Sequence, residues 1–256
     1  MPERISLKDL LEDEGLLMVP GAYNALTAKL IEDAGFKAVY MTGYGTSAAN
    51  FGFPDIGLLT MTEMVENVSR IANSVSIPVI SDADTGYGNQ INVFRTIQEF
   101  EKAGVSAIHI EDQTWPKRCG HMSGKSVIET NEMIKKIKTA IDSRKKDDFL
   151  IIARTDAIAT HGFDEAIKRA KEYAKAGADI LFLDAPRTKN QVKKIPKLIK
   201  EKPLLINLSP KTPNFSKKEL EDMGYKIAIY PGVSLAATVL SCMEDLNELK
   251  ETGEQI

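Results

Sequence analysis

Cysteine is scarce in this chain, with two among 256 residues, and there is a single tryptophan. Cys119 and Cys242 are too few and too far apart for a disulfide framework, and they suit a reducing, cytoplasmic setting. No run of about 18 apolar residues occurs, which excludes a hydrophobic membrane-spanning helix, and Met1-Pro2-Glu3-Arg4 opens no apolar signal segment. The formal net charge is -3 with both signs interspersed, so no basic or acidic block marks a nucleic-acid or membrane surface. No low-complexity linker divides the chain, so residues 1–256 are expected to form one domain.

What is present is a repeat of elements. Short β-branched runs at 16–20, 38–42, 79–83, 107–111, 150–154, 180–184, 204–207 and 227–230 are largely apolar, as strands buried on both faces are. Helical patterns alternate with them at 25–34, 61–74, 93–103, 131–143, 164–176, 191–199, 217–223 and 235–249. Gly35, Gly104, Gly177 and Gly224 follow the last helical residue of four of these, where a C-cap turns the chain into the next strand. Eight βα units predict an α/β fold, the (β/α)8 TIM barrel. An open doubly wound sheet is the competing architecture, but Gly43-Tyr44-Gly45 lacks the third glycine of its phosphate fingerprint.

In such barrels the active site lies at the carboxyl ends of the strands. Those ends carry Tyr40, Thr42, Asp82, Asp84, Glu111, Arg154, Asp184, Asn207, Ser209 and Tyr230. Asp82 and Asp84, two apart on a strand, with Glu111 on the next, make an oxygen-rich set for Mg²⁺, with Mn²⁺ as the alternative ion. Arg154 suits bidentate capture of a substrate carboxylate, in competition with a buried ion pair to one of the acids. Asp112 is expected to be a structural partner turned to the helix layer, His109 a packed core residue, and Cys242 an apolar filler. In Lys117-Arg118-Cys119-Gly120-His121 a thiol lies among two cations and an imidazole, which favours the thiolate and points to chemistry.

Asp82-Ala83-Asp84-Thr85-Gly86-Tyr87-Gly88, Ile110-Glu111-Asp112-Gln113 and the Cys119 segment together resemble the isocitrate lyase/phosphoenolpyruvate mutase superfamily. Further matches are Tyr40 with Thr42-Gly43, Pro54-Asp55, Arg154-Thr155-Asp156 and Tyr230-Pro231. The thiol loop looks like the lyase branch, and the size is nearest its 2-methylisocitrate lyases. The resemblance implies a Mg²⁺-dependent retro-aldol lyase acting on a small carboxylic acid. The expected reaction is 2-methylisocitrate to pyruvate and succinate, or isocitrate to glyoxylate and succinate. An oxaloacetate decarboxylase, a dimethylmalate lyase and a phosphonate-forming mutase are alternatives on the same site. It implies Asp82, Asp84 and Glu111 at the metal and Thr42 and the Gly43 amide at the keto-acid end. Arg154, Asn207 and Ser209 would hold carboxylates. Cys119 would be the proton donor, supported by His121, Lys117 and Arg118, with Tyr40 on the proton path. It also implies a homotetramer whose last helix is exchanged between subunits. Asp184 stands where these lyases carry Glu, and Ser209-Pro210 replaces their usual segment after the Asn, so both bear on the distal half of the substrate.

Overall fold

The computed structural model describes residues 5–13, 15–120 and 122–254. Its strands are β1 (Leu17–Ala22), β2 (Val39–Met41), β3 (Val79–Asp82), β4 (Ala107–Glu111), β5 (Leu150–Thr155), β6 (Ile180–Leu183), β7 (Leu204–Asn207) and β8 (Ile227–Tyr230). They pair in parallel in chain order, and β1 closes on β8, giving the expected (β/α)8 barrel.

The uniformly apolar strands have two buried faces to serve. Val19, Tyr40, Ile80, Ile152, Phe182, Leu205 and Ile229 fill the barrel, joined by Leu7 and Leu10 of the helix Leu7–Glu12. Val39, Val79, Ile108, Ile151, Leu181 and Ile206 face outward and pack on Val68, Ile97, Phe100, Ile137 and Tyr173 of the helix layer. Strand side chains alternate with period two. The inward rows therefore run from Ile80 to Asp82, from His109 to Glu111, from Ile152 to Arg154 and from Leu205 to Asn207. Hydrophobic burial sets the register, and the register carries the polar groups to one mouth.

The four expected C-cap glycines all have positive φ. At the helix ending near Gly104, the Gly104 amide bonds the Glu101 carbonyl and the Val105 amide that of Phe100, a Schellman turn. Three expected strands, at 38–42, 79–83 and 180–184, stop one residue early, and past the last two the chain turns sharply. Asp84 (φ 47°) and Ala185 (φ 53°) take left-handed conformations that lift the chain off the sheet. Asp84 therefore does not share a strand with Asp82, contrary to the expectation.

The helix Val233–Thr252 departs further from its expected amphipathic packing. None of its residues is buried, and Val239, Leu240, Met243 and Leu246 are all more than half exposed. Cys242 on this helix is exposed rather than a filler. No helix among the described residues is long and apolar enough to cross a membrane.

Candidate active site

Within the barrel, His109 is fully buried, with its Nε2 2.7 Å from the Tyr40 hydroxyl and its ring edge-on to Phe182. Burial pushes the imidazole down to about 4, so the ring is neutral at ordinary pH. Burial also raises the Tyr40 phenol well above its ordinary value, so it keeps its proton. The expectation of a packed His109 holds, although its Nδ1 has no hydrogen-bond partner.

Above this pair lies Asp82. Its Oδ1 accepts from the Asp84 amide at 2.9 Å. Its Oδ2 lies against Gly43, where a Cβ would come within 2.4 Å. Only glycine lets the chain pass here. Thr42 caps the helix Gly43–Phe51, its Oγ1 accepting from the Gly45 amide, so the amino end of that helix opens at the mouth. Burial works against ionisation of Asp82, but the neighbouring His109 first, then Lys117, Arg154 and the Asp84 amide together outweigh it and hold the carboxyl below its ordinary value. Burial carries Asp84 the other way, up to about 7, with Asp82 and Asp55 adding to it against Lys117.

Opposite stands Arg154. Its Nη1 lies 3.1 Å from Glu111 Oε2, its Nε and Nη2 grip Asp156 at 2.9 and 3.1 Å, and Nη2 also donates to Asp184 at 3.2 Å. Burial disfavours its charge, but Asp156, Asp184 and Glu111 outweigh it and raise it well above its ordinary value. The ion-pair reading of Arg154 is therefore present in full. Asn207 Nδ2 donates to Asp184 Oδ1 at 3.3 Å, while its own Oδ1 has no partner. Ser209 forms a tight turn with Thr212.

The loop 113–128 lies over this mouth. Gln113 exchanges two hydrogen bonds with the Arg118 backbone and bridges Val127. The Cys119 amide donates to the Asp55 carbonyl at 3.0 Å. Gly120 sits so close to the floor that a Cβ would come within 2.0 Å of Asp184 Oδ2. Lys117 is buried, pairing with the Asp55 carboxylate and standing 2.8 Å from Asp84 Oδ1. Burial opposes its charge, and Asp84 and Asp55 more than restore it.

Tyr40, Asp82, Asp84, Glu111, Arg154, Asp184, Asn207, Gly43 and the Cys119 turn are thus brought to one end of the barrel. One expectation needs correction: Lys117 is not left to the thiol but neutralises Asp55 and Asp84, and exposed Arg118 braces the loop through the Ser123 carbonyl. Asp82, Asp84 and Glu111 share the mouth, with Lys117 on Asp84 and Arg154 on Glu111. His121 lies outside the described residues. Asp156 and Lys125 were not singled out in the sequence, although Asp156 continues the two-residue step from Arg154.

The donor set still fits a hard cation. Glu111 Oε1 is buried without a partner, and Asp84 Oδ1 meets the Lys117 ammonium outside hydrogen-bonding alignment. Mg²⁺ characteristically takes one or two carboxylates and keeps several waters. An ionised Asp82 beside two carboxyl oxygens with spare lone pairs meets that need.

Comparison with known proteins gives a consistent picture. The family described as phosphoenolpyruvate phosphomutase matches residues 7–250. The chain is 46% identical over 245 residues to 2,3-dimethylmalate lyase of Eubacterium barkeri, covering 95% of this chain and 85% of that protein. It is 41% identical over 251 residues to 2-methylisocitrate lyase of Aeropyrum pernix, covering 97% and 80%. Among solved structures, phosphonopyruvate hydrolase in complex with oxalate and Mg²⁺ superposes with a TM-score of 0.88 at 32% identity, covering 96% of this chain and 86% of that one.

Proposed function

This chain belongs to the phosphoenolpyruvate phosphomutase family, as a carbon–carbon lyase, and we propose that it cleaves a 2-hydroxy di- or tricarboxylate to a 2-oxo acid and a second carboxylate. The observation that carries this is the seating of the Cys119 turn directly over an acid-lined, cation-bridged barrel mouth. Cleavage of the bond beside a carboxylate leaves a carbanion that needs a proton and shielding from water. Cys119, held on Asp55, supplies the proton, and the loop excludes solvent. The amino end of the helix Gly43–Phe51 orients the keto-acid carboxylate. Asp82, Asp84 and Glu111 would hold Mg²⁺ or Mn²⁺. Such an ion would supply Lewis-acid polarisation of the oxygen on the carbon that becomes the keto carbon. Tyr40 and neutral His109 form the floor beneath Asp82, with His109 Nε2 3.6 Å from its Oδ1.

Between substrates, 2,3-dimethylmalate is favoured over 2-methylisocitrate. The relative bearing the first name is the more similar of the two. A homotetramer with an exchanged last helix belongs to the same proposal, and the apolar, unburied row on Val233–Thr252 supports it.

The test is release of 2-oxo acid from 2,3-dimethylmalate, 2-methylisocitrate, isocitrate and oxaloacetate with Mg²⁺, repeated after chelation with EDTA. Cleavage of a hydroxy acid that EDTA abolishes is expected. Turnover of oxaloacetate alone would end the lyase assignment, and turnover indifferent to EDTA would end the metal assignment.

A further inference from the structure

We propose that Lys125 is a positioning residue that pins the Cys119-Gly120 turn to the rim of β5, a role that rests on the reading of Cys119 as the proton donor. Lys125 belongs to a loop whose Arg118, Met122, Ser123 and Gly124 are exposed, yet its side chain is only 2% exposed. Its ammonium donates to the Gly120 carbonyl and, at 2.6 Å, to Asp156 Oδ1, with Asp184 Oδ2 at 3.8 Å. An ammonium has three donors, and here they point to the loop tip and to the barrel at once.

The anchor at the barrel end is rigid. The Asp156 amide donates to Asp112 Oδ1 at 2.9 Å, and its carboxylate takes both Nε and Nη2 of Arg154. The anchor at the loop end is one peptide from Cys119. Gly120 has no Cβ, and one placed there would lie 2.0 Å from Asp184 Oδ2 and 2.8 Å from Arg154 Nη2. The backbone at the tip therefore rests on Asp184, which Lys125 also approaches, and on Arg154, which holds Asp156, the partner of Lys125. The near flank of the turn is held by the Cys119 amide on Asp55 and by Gln113 on Arg118. Lys125 holds the far flank. Burying an ammonium is unfavourable unless it is paired and hydrogen-bonded, and both conditions are met only with the tip down.

Lys125→Met keeps the aliphatic stem and removes the charge. The readout is alkylation of Cys119 by iodoacetamide in the full-length protein without substrate, measured by peptide mass spectrometry. An unstructured cysteine peptide added to the same reaction is the reference. The rate of Cys119 relative to it is expected to rise about tenfold or more, the scale of losing a charge-assisted bond that restrains local opening. Loss of a cation by itself makes a thiol less reactive, so a rise reports exposure of the turn. With substrate, kcat is expected to fall about tenfold or more and KM to change less, because the proton donor rather than the binding surface is displaced. Should Lys125→Met melt well below the parent, Lys125→Gln replaces it with the same expectations. An unchanged alkylation ratio overturns the proposal. A raised ratio in an enzyme that cleaves none of the hydroxy acids would uphold the pin and remove the reaction assigned above.

Discussion

Glu111 and Asp112 are adjacent in sequence, both are buried, and burial is the main force raising both carboxyls. Their surroundings differ completely. Asp112 faces the helix layer, where its Oδ2 accepts from the Thr155 hydroxyl at 2.7 Å, the Tyr173 hydroxyl at 2.7 Å and Arg169 at 3.2 Å. Its Oδ1 accepts from the Asp156 amide. Glu111 faces the barrel mouth, where Oε2 meets Arg154 and Oε1 meets nothing. A buried acid with every lone pair used holds the β4–β5 corner to the helix Phe163–Lys175. A buried acid with a lone pair to spare is kept for something that arrives. Saturation of hydrogen bonding, more than burial or charge, separates architecture from chemistry here.

The sharpest way to break that contrast is to neutralise each acid. Asp112→Asn should cost roughly 1–3 kcal/mol of stability in denaturant unfolding, because the Thr155 and Tyr173 hydroxyls and Arg169, which keeps Glu165, lose a shared buried carboxylate acceptor. Glu111→Gln should instead lower turnover by about 10²–10³ while stability moves by less than about 1 kcal/mol. Equal melting losses in the two variants would erase the distinction.

His109 sharpens it next, as a buried group with one satisfied and one orphaned nitrogen. Its pKa of about 4 lies below the unfolded value, so the unfolded chain binds more protons between the two. Stability from the neutral ring is present above about pH 6.5 and is lost as the pH falls through about 4. Relative to His109→Leu, the parent should lose roughly 3 kcal/mol across that window in urea unfolding followed by fluorescence. Parallel curves for the two proteins would refute this. The smallest effect concerns the loop's contact with the mouth. Gly120→Ala should slow turnover about tenfold with an unchanged melting point, since the methyl meets Asp184 and Arg154 only when the turn is seated.

What the sequence discloses follows from periodicity. The strands, their parity and the Gly35, Gly104, Gly177 and Gly224 caps repeat a pattern, so the barrel and the inward acids were legible. The helix Gly43–Phe51 was not, because it opens Gly-Tyr-Gly with a weak apolar period, and its Thr42 cap emerges only in three dimensions. Nor was the partner of Lys117. Its neighbours in sequence are Arg118 and Cys119, but its charge is spent on Asp55, 62 residues earlier. The acids at the mouth could be named from spacing, whereas which of them a cation already occupies depends on how the loop folds back.

The inward rows have one further consequence, for how this chain tolerates insertions and deletions. Asp82, Glu111 and Arg154 reach the mouth only because each lies an even number of residues beyond Ile80, His109 and Ile152. One residue gained or lost within β3, β4 or β5 would turn the acids and the arginine into the helix layer and aim Ser81, Ile110 and Ala153 at the substrate. The same change a few positions later, past the rim, would alter only loop length. Lengthening and shortening should therefore accumulate beyond the rim, while the strand interiors keep their count.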